Sequence, residues 1–247
     1  MKRKVFLYRA VLIGAIILAI GVFVFLQKQK EKAGAEQVKR GVEKLEELEQ
    51  KNVAEIEETI AQLEKDESKP DSVDTLKKKM KNAVVLGDSI TNSLIEYHVI
   101  NEENVIAKIG ISLTQTKELL DKAVSLNKKK VFLAFGMNDL EATYGDEKLF
   151  REQYKEVIDY LQKHIPDVEI YVNSILPMQE IAFEKVKENA KYPEFNAELK
   201  KLCEEENIVF MDNTDLVKEE YFEPDGIHMV YDFYIDWVNR MISVGGL

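Results

Sequence analysis

The sequence predicts an α/β fold in which a parallel sheet is covered by helices on both faces. Three features carry that expectation. Runs rich in Val, Ile and Leu occur at 83–86, 104–109, 130–135, 169–175 and 208–212. Amphipathic segments at 90–97, 114–125, 149–163, 195–206 and 230–242 alternate with them. Glycine-bearing polar stretches fall where the first three strands end. Apolar strands alternating with helices describe a sheet buried from both sides, with its chemistry at the carboxyl edge.

The segments before that fold read differently. Lys2, Arg3, Lys4 and Arg9 precede an apolar run of 17 residues at 10–26, or 22 if counted back to Val5. Arg9 can snorkel to the headgroups, and about 20 residues span a bilayer. Residues 1–4 are therefore expected as a basic cytoplasmic tail and 5–26 as a transmembrane signal anchor. Ala33-Gly34-Ala35 resembles a cleavage site, but Lys28, Lys30, Glu31 and Lys32 stand before it. Such a charged approach favours an uncleaved anchor over a secreted product.

Residues 27–74 read as a helical stalk and linker. Val38, Val42 and Leu45, then Val53, Ile56, Ile60 and Leu63, keep helical spacing, with a broken seam around Glu49 and Asn52. A solvated stalk with weak self-association fits better than a specific coiled coil. Ser68-Lys69-Pro70-Asp71-Ser72 breaks the helix, and residues 75–247 form the α/β domain.

Composition excludes several functions. A formal net charge of −11 speaks against a nucleic-acid partner. The single cysteine, Cys203, forms no internal disulfide and lies on a helical apolar face. With three scattered histidines it builds no zinc cluster, so no metal or cofactor is expected.

Chemistry is expected where strands end. The first strand runs into Gly87-Asp88-Ser89 and a helix, which puts Ser89 beside free backbone N–H groups. A serine hydroxyl needs a base. His98 lies in the expected helix after Ser89 with no carboxylate spaced to orient it, and His164 lies at a helix end. His228 has Asp225 three residues before it, in a turn that Gly226 permits. That spacing lets Asp225 hold one ring nitrogen while the other faces Ser89. The backbone N–H groups of Ser89 and Gly110 and the amide of Asn138 can supply an oxyanion hole, with Gly110 allowing close backbone approach. Asp88 is expected to shape its turn, and Asp139 to bond backbone near the site.

Taken together, Gly87-Asp88-Ser89, Gly110, Gly136-Met137-Asn138-Asp139 and Asp225-Gly226-Ile227-His228 resemble the SGNH hydrolases, also called the GDSL esterase/lipase family. The resemblance covers about residues 80 to 245, with four blocks in family order. Asn173-Ser174-Ile175-Leu176-Pro177 and Asn196 with Val209-Phe210-Met211-Asp212 are also similar to it. Ile90 departs from the common Leu at a packing position. The resemblance implies a three-layer α/β/α sandwich with a five-stranded parallel sheet in the order 2-1-3-4-5, a flavodoxin-like arrangement. It implies Ser89 as nucleophile, His228 as base, Asp225 as its orienter, and the Ser89 N–H, Gly110 and Asn138 as the oxyanion hole.

The expected protein is a membrane-anchored serine esterase with its N-terminus inside and its catalytic domain outside the cytoplasm. Loops 140–148 and 176–193 are expected to rim the cleft, with Tyr144, Phe183 and Tyr192 as substrate contacts. Neither loop has the apolar continuity of a lipase lid, which favours short acyl (acetyl) esters, such as those on a cell-envelope glycan. An O-acyltransferase and a catalytically idle surface-binding module are the alternatives, because one fold carries different reactions.

Overall fold

Five strands pair in parallel in the order β2-β1-β3-β4-β5, in a computed structural model that describes residues 72–247. The expected tail, the anchor and the stalk up to residue 71 lie outside the described residues. Among the described residues no helix is long and apolar enough to cross a membrane. The strands are β1 (Ala83–Gly87), β2 (Val105–Ala107), β3 (Lys130–Ala134), β4 (Glu169–Asn173) and β5 (Val209–Met211).

Side-chain alternation along the strands divides the core in two. Val84, Leu86, Val131, Leu133, Ile170 and Val172 belong to one apolar cluster, while Ala83, Val85, Phe132, Tyr171 and Met211 belong to the other. The first cluster is completed by α3 (Lys117–Leu126), α5 (Glu147–His164) and α7 (Tyr192–Glu206). The second is completed by α1 (Val73–Lys79), α2 (Ser89–Glu96) and α8 (Tyr231–Gly245). Two short helices, α4 (Asp139–Ala142) and α6 (Glu180–Lys185), follow β3 and β4. The result is the three-layer sandwich, because a two-faced apolar sheet needs a helical layer on each side.

Register fixes where the chemistry falls. Gly87 pairs with Ala107 on one side and Ala134 on the other, so three strands end level. Ser89, Gly110 and Asn138 follow those ends within a few residues.

The structure departs from the sequence reading in several places: β2 to β5 are shorter than the runs that predict them, and α6 lies inside the expected loop 176–193. The domain begins before Thr75: α1 starts at Val73, and the Ser72 hydroxyl accepts the Thr75 N–H at 3.4 Å. Asn104 is not in β2; its buried side-chain amide donates to the Ala83 carbonyl at 2.7 Å. His98 lies beyond the end of α2, at φ 55°, instead of within a helix.

Leu76 on α1 is fully buried. Leu76→Ala should lower unfolding free energy by about 2–5 kcal/mol, the cost of a core cavity. Val244→Ala, at a residue 44% exposed, should stay within about 0.5 kcal/mol. Urea unfolding followed by circular dichroism measures both, and equal effects would remove α1 from the core.

Candidate active site

Ser89 opens α2 directly after β1, and Asp88 caps that helix by accepting the Ile90 N–H at 3.0 Å. The Ser89 N–H is thereby among the first-turn donors that have no carbonyl partner within the helix. Ser89 is half-buried, and its Oγ lies 3.0 Å from His228 Nε2. His228 Nδ1 lies 2.6 Å from Asp225 Oδ2. The other Asp225 oxygen accepts the N–H groups of Ile227 and His228, each at 2.9 Å. The carboxylate thus holds the turn and the imidazole together.

That turn depends on Gly226. Its φ is +75°, and an added Cβ would come 2.5 Å from Ile181 Cγ2. Partial burial works against ionised Asp225, but the hydrogen bonds from the His228 ring and from the His228 and Ile227 N–H groups outweigh it. They draw its pKa down to about 2. Asp225 is therefore anionic at neutral pH and suited to orient a ring nitrogen.

Asn138 follows β3, and its Nδ2 donates to the Ile111 carbonyl at 3.0 Å. Its contact with Asp88 Oδ2 is 3.5 Å, too long to hold the second amide hydrogen firmly. Gly110 lies exposed beyond β2 with φ +71°. An added Cβ there would meet no protein atom within 4 Å, so backbone angle and not protein crowding demands the glycine.

Two buried carboxylates lie beneath. Asp88 is 2% exposed, and burial pushes its pKa up to about 7, with the Ile90 N–H opposing and the Asp139 charge adding. Asp139 accepts the Leu113 N–H at 2.8 Å. Burial raises its pKa to about 6, against that hydrogen bond. Among the described residues its Oδ2 has no hydrogen-bond partner. Among the described residues no group of three or more His, Cys, Asp or Glu could hold a metal.

The structure does not bring the other histidines to Ser89. His98 and His164 are both exposed, and His164 Nδ1 lies 2.7 Å from the Tyr160 carbonyl at the end of α5. Cys203 is buried, and burial pushes its thiol up to about 12. The expected rim residues separate. Tyr144 is 87% exposed, whereas Phe183 and Tyr192 are partly buried against the core. Among the described residues no hydrogen bond joins any of the three to Ser89, Asp225 or His228.

Sequence reasoning missed Tyr97 and Glu223. Tyr97 donates its hydroxyl to Glu223 at 3.1 Å, and the Glu223 N–H donates to the His228 carbonyl at 2.8 Å. The first contact spans 126 positions in the chain, so no local pattern announces it.

Residues 85–232 match a family model described as the GDSL-like lipase/acylhydrolase family, which is more than half of the chain. No curated protein matches the chain in sequence. Among solved structures, a GDSL-like lipase from Bacteroides thetaiotaomicron is similar at 19% identity and TM-score 0.54, over 68% of this chain and 88% of that one. A carbohydrate esterase family 3 protein from Talaromyces cellulolyticus is similar at 12% identity and TM-score 0.52, over 66% and 94%. A variant of the acetylxylan esterase Axe2 from Geobacillus stearothermophilus is similar at 12% identity and TM-score 0.50, over 67% and 94%. At these identities the likeness is one of fold.

The buried carboxylates predict a stability profile. Asp88 and Asp139 have folded pKa values above the ordinary value of 3.8. Their protonated forms therefore favour the folded state. That contribution is full below about pH 4 and is lost as pH rises through about 6 to 7. Asp88→Asn removes one titration while its amide oxygen can still accept the Ile90 N–H. Urea unfolding at pH 5 and pH 8 should show a smaller stability loss in the variant than in wild type. Equal losses would mean that Asp88 does not titrate in this range.

Proposed function

The chain belongs to the GDSL-like lipase/acylhydrolase family, the SGNH hydrolases, and is a serine ester hydrolase; from that premise we propose that Ser89, His228 and Asp225 cleave short acyl esters on a carbohydrate of the cell envelope. One observation carries the reading: His228 places one nitrogen 3.0 Å from Ser89 Oγ and the other 2.6 Å from Asp225.

The mechanism follows from that geometry. Ser89 Oγ attacks the ester carbonyl while His228 Nε2 takes its proton. Asp225 keeps the other ring nitrogen protonated and steadies the imidazolium. The carbonyl oxygen gains negative charge, which the Ser89 and Gly110 N–H groups and the second hydrogen of the Asn138 amide receive. Donors fixed before the charge develops need little reorganisation, which is the advantage such a hole supplies. His228 then gives its proton to the leaving alkoxide, and the alcohol departs. Water, deprotonated by His228, attacks the acyl-Ser89 carbonyl; the acyl–Oγ bond breaks, His228 returns the proton to Ser89 Oγ, and the acid leaves.

The finer substrate reading has two supports. Loops 140–148 and 176–193 lack a continuous apolar lid. The Talaromyces and Geobacillus structures are named for carbohydrate and acetylxylan ester cleavage. We place the domain outside the cytoplasm on the membrane anchor expected at 5–26, because a basic segment precedes an apolar run long enough to span a bilayer.

Ser89→Ala and His228→Ala should each lower kcat on 4-nitrophenyl acetate by several orders of magnitude, because nucleophile and base act as a unit. Asn138→Ala should lower kcat by roughly 100- to 1,000-fold with KM little changed. Steady-state kinetics on variants whose folding is checked by thermal melts decides this. Folded Asn138→Ala with kcat within a few-fold of wild type would remove Asn138 from the site.

For the anchor, protease added to intact cells should release the catalytic domain, and the retained fragment should begin at Met1. A mature N-terminus at Glu36 would instead indicate cleavage and secretion.

A further inference from the structure

A pocket of about 580 Å³ is lined by Gln179, Glu180, Ile181, Val217, Glu219 and Phe222. It adjoins the turn that carries the base. The Gln179 N–H donates to the Gly226 carbonyl at 2.9 Å. The methyl Cγ2 of Ile181 and the Cβ of Gln179 close over the spot where a Gly226 side chain would stand. One side of the Asp225–His228 turn therefore meets Ser89, and the other meets the pocket wall.

We propose that this pocket binds the alcohol half of the ester, a neutral, hydroxyl-rich glycan, while the acyl group is held at Ser89. The proposal rests on the esterase reading above. Its chemistry comes from what the pocket presents. Glu180 and Glu219 supply carboxylate acceptors, and Gln179 adds a carbonyl oxygen. Gln179 Nε2 donates to Glu219 Oε1 at 2.6 Å, which fixes both side chains. Among the described residues no cation lies within salt-bridge distance of either carboxylate. Lys218, next in the chain to Glu219, is turned to the Tyr221 hydroxyl at 2.6 Å and to Asp236 at 3.4 Å.

An acceptor-rich, cation-free hollow suits donors without negative charge, such as sugar hydroxyls, and repels phosphate or uronate groups. Phe222 and Ile181, the latter 41% exposed, give it apolar surface for the C–H faces of a sugar ring. The position also fits. The lining residues follow β4 and β5, two and three strands from β1. The Gln179–Gly226 hydrogen bond, two positions before His228, sets the pocket wall beside the turn that faces Ser89, within reach of a short oligosaccharide.

The test uses the full chain in detergent and two classes of acetyl ester: 4-nitrophenyl acetate, which offers the pocket no sugar, and O-acetylated xylo- and chito-oligosaccharides. Glu219→Ala and Gln179→Ala should lower kcat/KM on an acetylated oligosaccharide by about tenfold or more, mainly through KM, as expected for lost hydrogen bonds to a charged acceptor network. On 4-nitrophenyl acetate Glu219→Ala should stay within about twofold of wild type. Glu219→Gln, which keeps an acceptor oxygen, should recover most of the loss. Glu219→Lys should shift preference toward acetylated oligogalacturonate, an anionic glycan. Equal effects on the short ester and the oligosaccharides would overturn the pocket assignment alone. An enzyme active on 4-nitrophenyl acetate and on no acetylated glycan would overturn it together with the carbohydrate substrate, leaving the esterase reading in place. Wild type inactive on every ester would overturn the esterase reading together with it.

Discussion

The buried carboxamide of Asn173 ties the sheet to the helix that follows His228. Its Nδ2 donates to the Leu133 carbonyl of β3 at 3.1 Å. Its oxygen accepts the Trp237 indole N–H at 2.9 Å and the Asn213 amide at 3.0 Å. Trp237 lies on α8, six positions past the helix start, and the base turn leads directly into that helix. The contacts are fully desolvated, so losing one partner leaves others unpaired in a low dielectric. This anchorage fixes the helix into which the His228 turn runs.

The turn is then held from several directions. Asp225 closes it from within, through two backbone N–H groups and the ring. Gln179 holds Gly226 from the loop after β4, and Glu223 pairs with the His228 carbonyl from the chain before it. Tyr97 then links Glu223 to the end of α2, the helix that Ser89 opens. Ser89 and His228 are thus connected twice, directly through Oγ and Nε2, and indirectly through Tyr97 and Glu223. An imidazole held this way has little freedom to leave the Ser89 hydroxyl.

Below the site, Asp88 and Asp139 occupy positions that cost stability when ionised. Asp88 caps α2 and faces the Asn138 amide, while Asp139 holds the backbone of Leu113. Each hydrogen bond fixes a segment that follows one of the three level strand ends. The penalty of burial is the physical counterpart of that positioning: a short carboxylate reaches backbone donors in a space too small for hydrated alternatives.

The sequence by itself determined the sheet, its covering helices and the residues offered to the site. Strands with apolar residues on both faces stand out in any reading, because a parallel sheet leaves no wet face to dilute the signal. Asp225, Gly226 and His228 were legible together because their contact is local, within one turn. Asn104, Tyr97 and Glu223 were not, because each acts across a long stretch of chain, and a polar residue looks the same in sequence whether solvated or paired. Phe183 and Tyr192 read as rim residues because aromatics in an expected loop carry no mark of the surface they face; they stand on α6 and at the start of α7 and pack toward the core. Only the tertiary structure decided that Gly87 stands level with Ala107 and Ala134, and that His228 reaches Ser89 across 139 positions. Periodicity records which side of an element is apolar, whereas distances between elements arise only when their faces pack.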